Sequence, residues 1–197
     1  MEHEIAAGDP IPTPVAGDAA SVQATLDRLR SYEEIRQLVT RYAVAVDACD
    51  VDTVAGLFAD EADFGDHGRG PDGARRFYAA TRARYAVTVH DVGNHLVDFD
   101  GPDHARGVVY CRAEHERGDD WTVTSVVYRD QYVRSGTRWA FRGRQALIFH
   151  GGDVGERPND MPPAEQPEGL TLRGRGRMPS VWPSWGRFWA AAGRPMS

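Results

Sequence analysis

The chain has 197 residues, 41% hydrophobic and 26% charged, an ordinary globular composition and about one domain's worth of polypeptide. Its formal charge of -6 argues against a nucleic-acid partner, because a phosphate-binding surface is basic overall. No run approaches the roughly 18 apolar residues of a membrane helix, and the acidic, proline-containing N-terminus lacks the regions of a signal peptide, so no membrane partner and a cytoplasmic location are expected.

In chain order, residues 1–20 combine Pro10, Pro12 and Pro14 with small residues and no hydrophobic period, and are expected to form a flexible leader. From Ser21 the pattern is helical. Ser31 and Glu34 match a capping box ahead of Ile35, Leu38, Val39, Tyr42 and Val46, which share one helical face. Tyr42 therefore faces a core, while Asp47 falls on the margin of the stripe at the helix exit. Asp50 or Asp52 is expected to cap a short second helix carrying Val54, Leu57 and Phe58. Residues 62–64 read as a short strand leading into a glycine-rich turn, and Pro71-Asp72-Gly73 opens a helix to about Arg84.

Then the pattern changes. Runs 87–99, 104–117, 120–134 and 138–150 are β-rich and separated by Asp100-Gly101-Pro102, Gly118-Asp119 and Ser135-Gly136. Helices followed by a meander of long strands define an α+β class, and apolar residues on both parities call for a strongly curved antiparallel sheet wrapped around the helices. Residues 21–150 thus form the expected α+β domain. Residues 151–197 read as a Gly/Pro-rich extended tail ending in a short aromatic helix, with Trp182, Trp185, Phe188 and Trp189 on one face. So apolar a face must pack on its own domain or on a second subunit, as a lid over the interior or as the contact of the expected homodimer or homotrimer.

The chemistry is narrowed by what is missing. All 23 basic residues are arginine, which excludes Schiff-base chemistry through a lysine of this chain. Cys49 and Cys111 have no CxxC context and read as reduced, packed thiols. Neither His90/His95 nor His104/His115 has metal-ligand spacing, and no GxSxG or GxxxxGK[ST] occurs, so no metal or cofactor is expected. What remains is a set of ionisable and hydroxyl groups: Tyr42, Asp47, His90, Tyr128, Asp130, Arg144 and His150. By strict alternation Arg144, Ala146, Ile148 and His150 share one strand face, apart from Trp139, Phe141 and Phe149. Thr124, Val126, Tyr128 and Asp130 share a second, and Thr88, His90 and Val92 a third, with His95 on the reverse side unless Gly93 is a bulge.

The pattern Tyr42-Ala-Val-Ala-Val-Asp47-x-x-Asp50-x-Asp52, then Leu57-Phe58-x-Asp60-x-Ala62, followed by the four β-runs and Trp139, resembles the SnoaL-like branch of the nuclear transport factor 2-like superfamily over about residues 25–150. The resemblance implies a cone-shaped α+β barrel with a deep pocket and reactions like those of scytalone dehydratase, lindane dehydrochlorinase and bile acid 7α-dehydratase. It implies Asp47 as the acid that orients a base, His90 as that base, Arg144 as an assisting cation and Tyr42 as a proton donor or carbonyl polariser. Tyr128, Asp130, His150, Phe64 and Val126 would contact substrate. Independently of the family, a buried carboxylate holding one ring nitrogen of a histidine fixes its tautomer and stabilises the imidazolium formed on proton abstraction. The expected function is a cofactor-independent lyase, a dehydratase, acting on a hydrophobic hydroxylated or polycyclic substrate. A polyketide-type cyclase or isomerase using the same pocket, and a non-catalytic small-molecule-binding module, stand as alternatives on a fold that hosts many functions.

Overall fold

A computed structural model describes residues 11–155 and 183–193. The first helix, α1 (Ala19–Asp47), starts where the Asp18 carboxylate accepts the Ala20 N–H at 3.0 Å. It begins well before Ser31, which is a buried mid-helix residue donating to the Asp27 carbonyl at 2.7 Å. The capping box is therefore not used: Ser31 and Thr25 both bond to carbonyls one turn back, which leaves the helix unbroken. Ile35, Leu38, Val39 and Tyr42 are buried, as their spacing requires.

Helix α1 ends by crossing into the left-handed region at Cys49, φ 56°, with Cys49 N–H on the Val46 carbonyl and Asp50 N–H on that of Ala45. This is a Schellman closure with cysteine where glycine is usual. Asp50 caps the next helix, α2 (Val51–Gly56), accepting from the Thr53 N–H at 3.0 Å and the Thr53 hydroxyl at 2.7 Å. Asp52 instead faces solvent and pairs with Arg75. The strand expected at 62–64 reduces to a single bridge between Asp63 and Arg69 around a 3-10 turn, Gly65–His67, before α3 (Gly70–Arg82).

Strands β1 (Thr88–Phe99), β2 (His104–Arg117), β3 (Asp120–Ser135) and β4 (Arg138–Asp153) form one antiparallel sheet in sequence order. The segment after α2 docks on the far edge, where Ala59 N–H bonds the Phe141 carbonyl and Phe141 N–H bonds that of Leu57. The class is α+β, with a curved antiparallel sheet lying over α1 to α3 and the core between them. Helix α4 (Pro183–Ala191) packs on this same chain: Trp185 and Trp189 cover Cys49, and the Ser184 hydroxyl bonds the Ala48 carbonyl at 2.9 Å. Among the described residues no helix is long and apolar enough to cross a membrane. Half of the expected leader (residues 1–10) and most of the expected tail (156–182 and 194–197, with Trp182) lie outside the described residues.

Three bulges correct the strict alternation of the strands. In β1, Gly93 and Asn94 stand between the pairs Val92↔Cys111 and His95↔Val109, so His95 returns to the same face as His90. In β4, Arg142 is the extra residue between Phe141↔Tyr132 and Gly143↔Gln131, which puts Phe141 on the inner face with Arg144. Phe149 is the extra residue between Ile148↔Val126 and His150↔Ser125, which turns His150 outward. Each bulge reverses the parity beyond it.

Close approach fixes one glycine. A Cβ on Gly107 would lie 2.6 Å from the Tyr132 hydroxyl oxygen and 2.7 Å from its Cε2, and that buried ring is hydrogen-bonded in place. Gly107→Ala is expected to destabilise the protein by about 1–3 kcal/mol through overpacking, read from chemical denaturation.

Candidate functional site

The exit of α1 and the start of β1 meet at Asp47. Its Oδ1 accepts from the Thr88 hydroxyl at 2.8 Å and lies 2.6 Å from His90 Nδ1, while Oδ2 accepts the His90 backbone N–H at 2.8 Å. A carboxylate can only accept, so Nδ1 carries the proton and Nε2 is left as the basic nitrogen. The side chains of His90 and Asp47 are 7% and 13% exposed, which sets this pair largely apart from solvent.

A carboxylate at a helix C-terminus is electrostatically misplaced, because the free carbonyls there already form the negative end of the dipole. Arg82 relieves part of this. Its side chain is buried, with Nε donating to the Val46 carbonyl at 3.2 Å, Nη1 to Tyr85 and Nη2 to Ala86 at 3.2 Å. One guanidinium thereby ties the end of α1 to the segment that leads into Thr88 and His90.

Facing this pair is an aromatic enclosure around a second charge pair. The guanidinium carbon of Arg144 lies 4.2 Å from the ring centre of Tyr42, 4.3 Å from that of Tyr128 and 4.5 Å from that of Phe141. Its Nε donates to Asp130 Oδ1 at 2.8 Å and its Nη2 to Oδ2 at 2.6 Å. The Tyr132 hydroxyl donates to Asp130 Oδ2 at 2.7 Å, and His95 Nε2 lies 3.1 Å from that hydroxyl. Asp130 has no exposed side-chain surface, so it is a counter-ion rather than the substrate contact expected of it. Arg144 Nη1 is buried without a hydrogen-bond partner among the described residues, although the Tyr42 phenol lies close beside the guanidinium. A buried donor left in that condition costs about 1–3 kcal/mol.

Tyr42 joins the two halves: its ring centre is 6.5 Å from that of His90 and 6.2 Å from that of Tyr128. Phe64 lies half-buried against Phe58, 4.9 Å between ring centres, and Val126 is buried on the inner face of β3. His150 is not part of the assembly. It is exposed on the outer face beside the Ser125 hydroxyl, 3.4 Å away, for the reason given by the bulge at Phe149. A groove of about 510 Å³ at the opposite end of the sheet is lined by Arg28, Ser31, Phe99, Pro102 and Arg134, and by none of these residues.

Two histidines on the inner face had no assigned role in the sequence. His115, paired with Thr88, has its ring centre 5.7 Å from that of His90 and 4.7 Å from that of Tyr85. Its signal was the parity of β2, where Ala105, Gly107, Val109, Cys111, Ala113 and His115 alternate with Arg106, Val108, Tyr110, Arg112 and Glu114. His95 faces inward through the bulge at Gly93, the condition on which its strand parity had left it.

Burial sets the protonation states. It raises the pKa of Tyr42 against the opposing pull of Arg144, and it raises that of Tyr128, so both phenols stay protonated donors. For Arg144, burial disfavours the charge, but the Asp130 carboxylate and the neighbouring phenols carry its pKa above the usual value. Burial pushes His95 down to about 4, opposed by Asp130, and pushes His115 down to about 4, helped by His90. Both are therefore neutral near pH 7. Because their folded pKa values lie below the ordinary 6.5, the unfolded chain binds more protons between about pH 4 and 6.5, and stability falls as pH drops through that window. Denaturant unfolding at a series of pH values is expected to show this slope, and His95→Gln or His115→Gln each to flatten it.

No curated protein matches the sequence. The family profile described as a SnoaL-like domain matches residues 27–145. Among solved structures, a type 2 hexachlorocyclohexane dehydrochlorinase is 22% identical, with 74% of this chain and 99% of that chain covered and a TM-score of 0.62. A Novosphingobium aromaticivorans protein named as a candidate scytalone dehydratase is 19% identical, with 68% and 93% covered and a TM-score of 0.58. An NTF2-like protein with a cystatin-like fold from the same organism is 19% identical, with 68% and 92% covered and a TM-score of 0.57. At these identities the solved structures establish a shared fold, while the profile spans more than half the sequence: this chain belongs to the SnoaL-like domain family.

Proposed function

We propose that the chain is a cofactor-independent lyase, a dehydratase acting on a hydrophobic hydroxylated or polycyclic substrate. The observation that carries this reading is the 2.6 Å contact between Asp47 and His90 Nδ1 beside an enclosure of phenols and a guanidinium. His90 Nε2 takes the proton from an acidic C–H, and Asp47 stabilises the imidazolium that forms. As the carbon–carbon double bond forms, the C–O bond on the neighbouring carbon breaks and the hydroxyl leaves as water with a proton from Tyr42. Transfer of one proton from the imidazolium to the Tyr42 phenolate, through a water, resets the site. Arg144 polarises the oxygen that makes the C–H acidic.

A second reading rests on His115, whose ring centre lies 5.7 Å from that of His90. A neighbouring imidazole could return the abstracted proton to another carbon, which is isomerase or cyclase chemistry with no loss of mass. A homo-oligomer fits the apolar band on the outer sheet face, where Leu96, Tyr110 and Phe149 are exposed, with Tyr110 and Phe149 in ring contact.

Incubation with a panel of hydrophobic β-hydroxyketones, followed by mass spectrometry, is expected to show loss of water from at least one member. His90→Ala and Asp47→Asn should each lower that turnover by about 10²–10⁴-fold, the usual worth of general-base catalysis. Turnover near that of the unaltered protein in both variants would overturn the mechanism, and a product of unchanged mass would select the isomerase reading.

A further inference from the structure

We propose that Asp130 determines ligand specificity: by neutralising Arg144 it makes this interior a receptor for a neutral oxygen acceptor, a ketone or an alcohol, and a poor site for a carboxylate. The proposal deepens the dehydratase reading, from which it takes only the location of the ligand.

An arginine in an enclosed site usually signals an anionic ligand, because its planar fork matches a carboxylate with two charge-assisted bonds. Here that fork is already occupied. Nε and Nη2 of Arg144 hold both oxygens of Asp130, at 2.8 and 2.6 Å, and the side chains are 4% and 0% exposed. The Tyr132 hydroxyl bonds the same carboxylate at 2.7 Å and is itself met by His95, so Asp130 cannot swing away to make room. The faces of the guanidinium are covered by the rings of Tyr42, Tyr128 and Phe141. What remains is Nη1, a buried donor without a hydrogen-bond partner among the described residues, with the Tyr42 phenol beside it.

A carboxylate arriving there would be attracted by Arg144 and repelled by Asp130 at comparable range, with a further negative charge on Asp47 across the interior. It would lose its hydration without recovering it. A carbonyl or hydroxyl oxygen gives up much less water and supplies the acceptor that Nη1 lacks. His95 and His115 add no compensating charge, being neutral near pH 7 through burial. Arg82 is committed to the carbonyls of Val46, Tyr85 and Ala86. The same balance suits the elimination chemistry, which needs a polarised neutral carbonyl and not a carboxylate whose negative charge would oppose carbanion formation.

The test compares acetophenone with benzoate, near-isosteres that differ in charge, by NMR titration of the Arg144 side-chain nitrogens in the full-length protein. Acetophenone is expected to move the Arg144 signals and to bind at least about tenfold tighter than benzoate. In Asp130→Asn, benzoate should gain about tenfold or more while acetophenone changes little. Benzoate binding as tightly as acetophenone, or no movement of the Arg144 signals with either probe at millimolar concentration, would overturn the proposal. The wild-type comparison stands by itself if Asp130→Asn does not fold, and the double variant Asp130→Asn/Arg144→Gln, a neutral amide pair of similar shape, provides the second check. That variant should bind benzoate no better than the unaltered protein does; a gain there would show that the selectivity lies elsewhere. Equilibrium binding in His90→Ala separates the two proposals, since loss of the base removes turnover but should leave the ketone preference intact.

Discussion

One carboxylate in an electrostatically unfavourable place organises the rest. Asp47 terminates a 29-residue helix at its negative end, where an anion is destabilised, yet it is held by three donors from a strand more than forty residues away. Those donors come from alternate residues, Thr88 and His90, whose side chains fall on one face of β1, with the His90 backbone N–H between them. A single carboxyl group thus fixes the distance between helix layer and sheet and the orientation of the imidazole. Arg82, bonded to carbonyls on both sides of the junction, keeps those two chain segments together, and α4 covers the corner through Trp185 and Trp189.

The interior then separates into two charge systems with an aromatic layer between them. On one side stand Asp47 and His90, an acceptor-only group and a tautomer it dictates. On the other side Arg144 and Asp130 cancel each other's charge and are locked by Tyr132 and His95. The phenol of Tyr42 lies between, kept protonated by burial while Arg144 pulls the other way. This arrangement permits ionisable groups in a dry environment because Arg144 and Asp130 are paired and the Asp47 carboxylate is met by three hydrogen-bond donors, the condition under which burial does not simply neutralise them.

Much of this was legible in the sequence, and the gaps share one cause. The stripe Ile35, Leu38, Val39, Tyr42 identified the buried face of α1, and turn residues at Asp100-Gly101, Gly118-Asp119 and Ser135-Gly136 delimited four strands to within a few residues. Asp47 and His90 could be paired as candidates only through the resemblance to the SnoaL-like family, because spacing along the chain does not bring a helix exit and a distant strand together. The misplacements of Phe141 and His150 came from counting residues along a strand that bulges, since one inserted residue moves everything beyond it to the opposite face, and the face of His95 turned on the bulge at Gly93 that its sequence had left open. The helical pattern from Ser21 comes within two residues of the start at Ala19, whereas the capping box at Ser31 failed because a local capping motif competes with the longer helix into which it is built, and propagation is favourable once a nucleus exists.

The sequence by itself determined the periodicities: which faces are apolar, where the chain turns, and which residue types were available for chemistry. These follow from local propensity and the spacing of side chains, which do not depend on distant contacts. Only the tertiary structure decided that Arg144 meets Asp130 with both oxygens engaged, that His95 and His115 turn inward, and that three donors converge on Asp47. Those outcomes depend on strand register, bulge position and the approach of residues far apart in the chain, quantities set by the packing of the whole sheet against the helices and by no single stretch of residues.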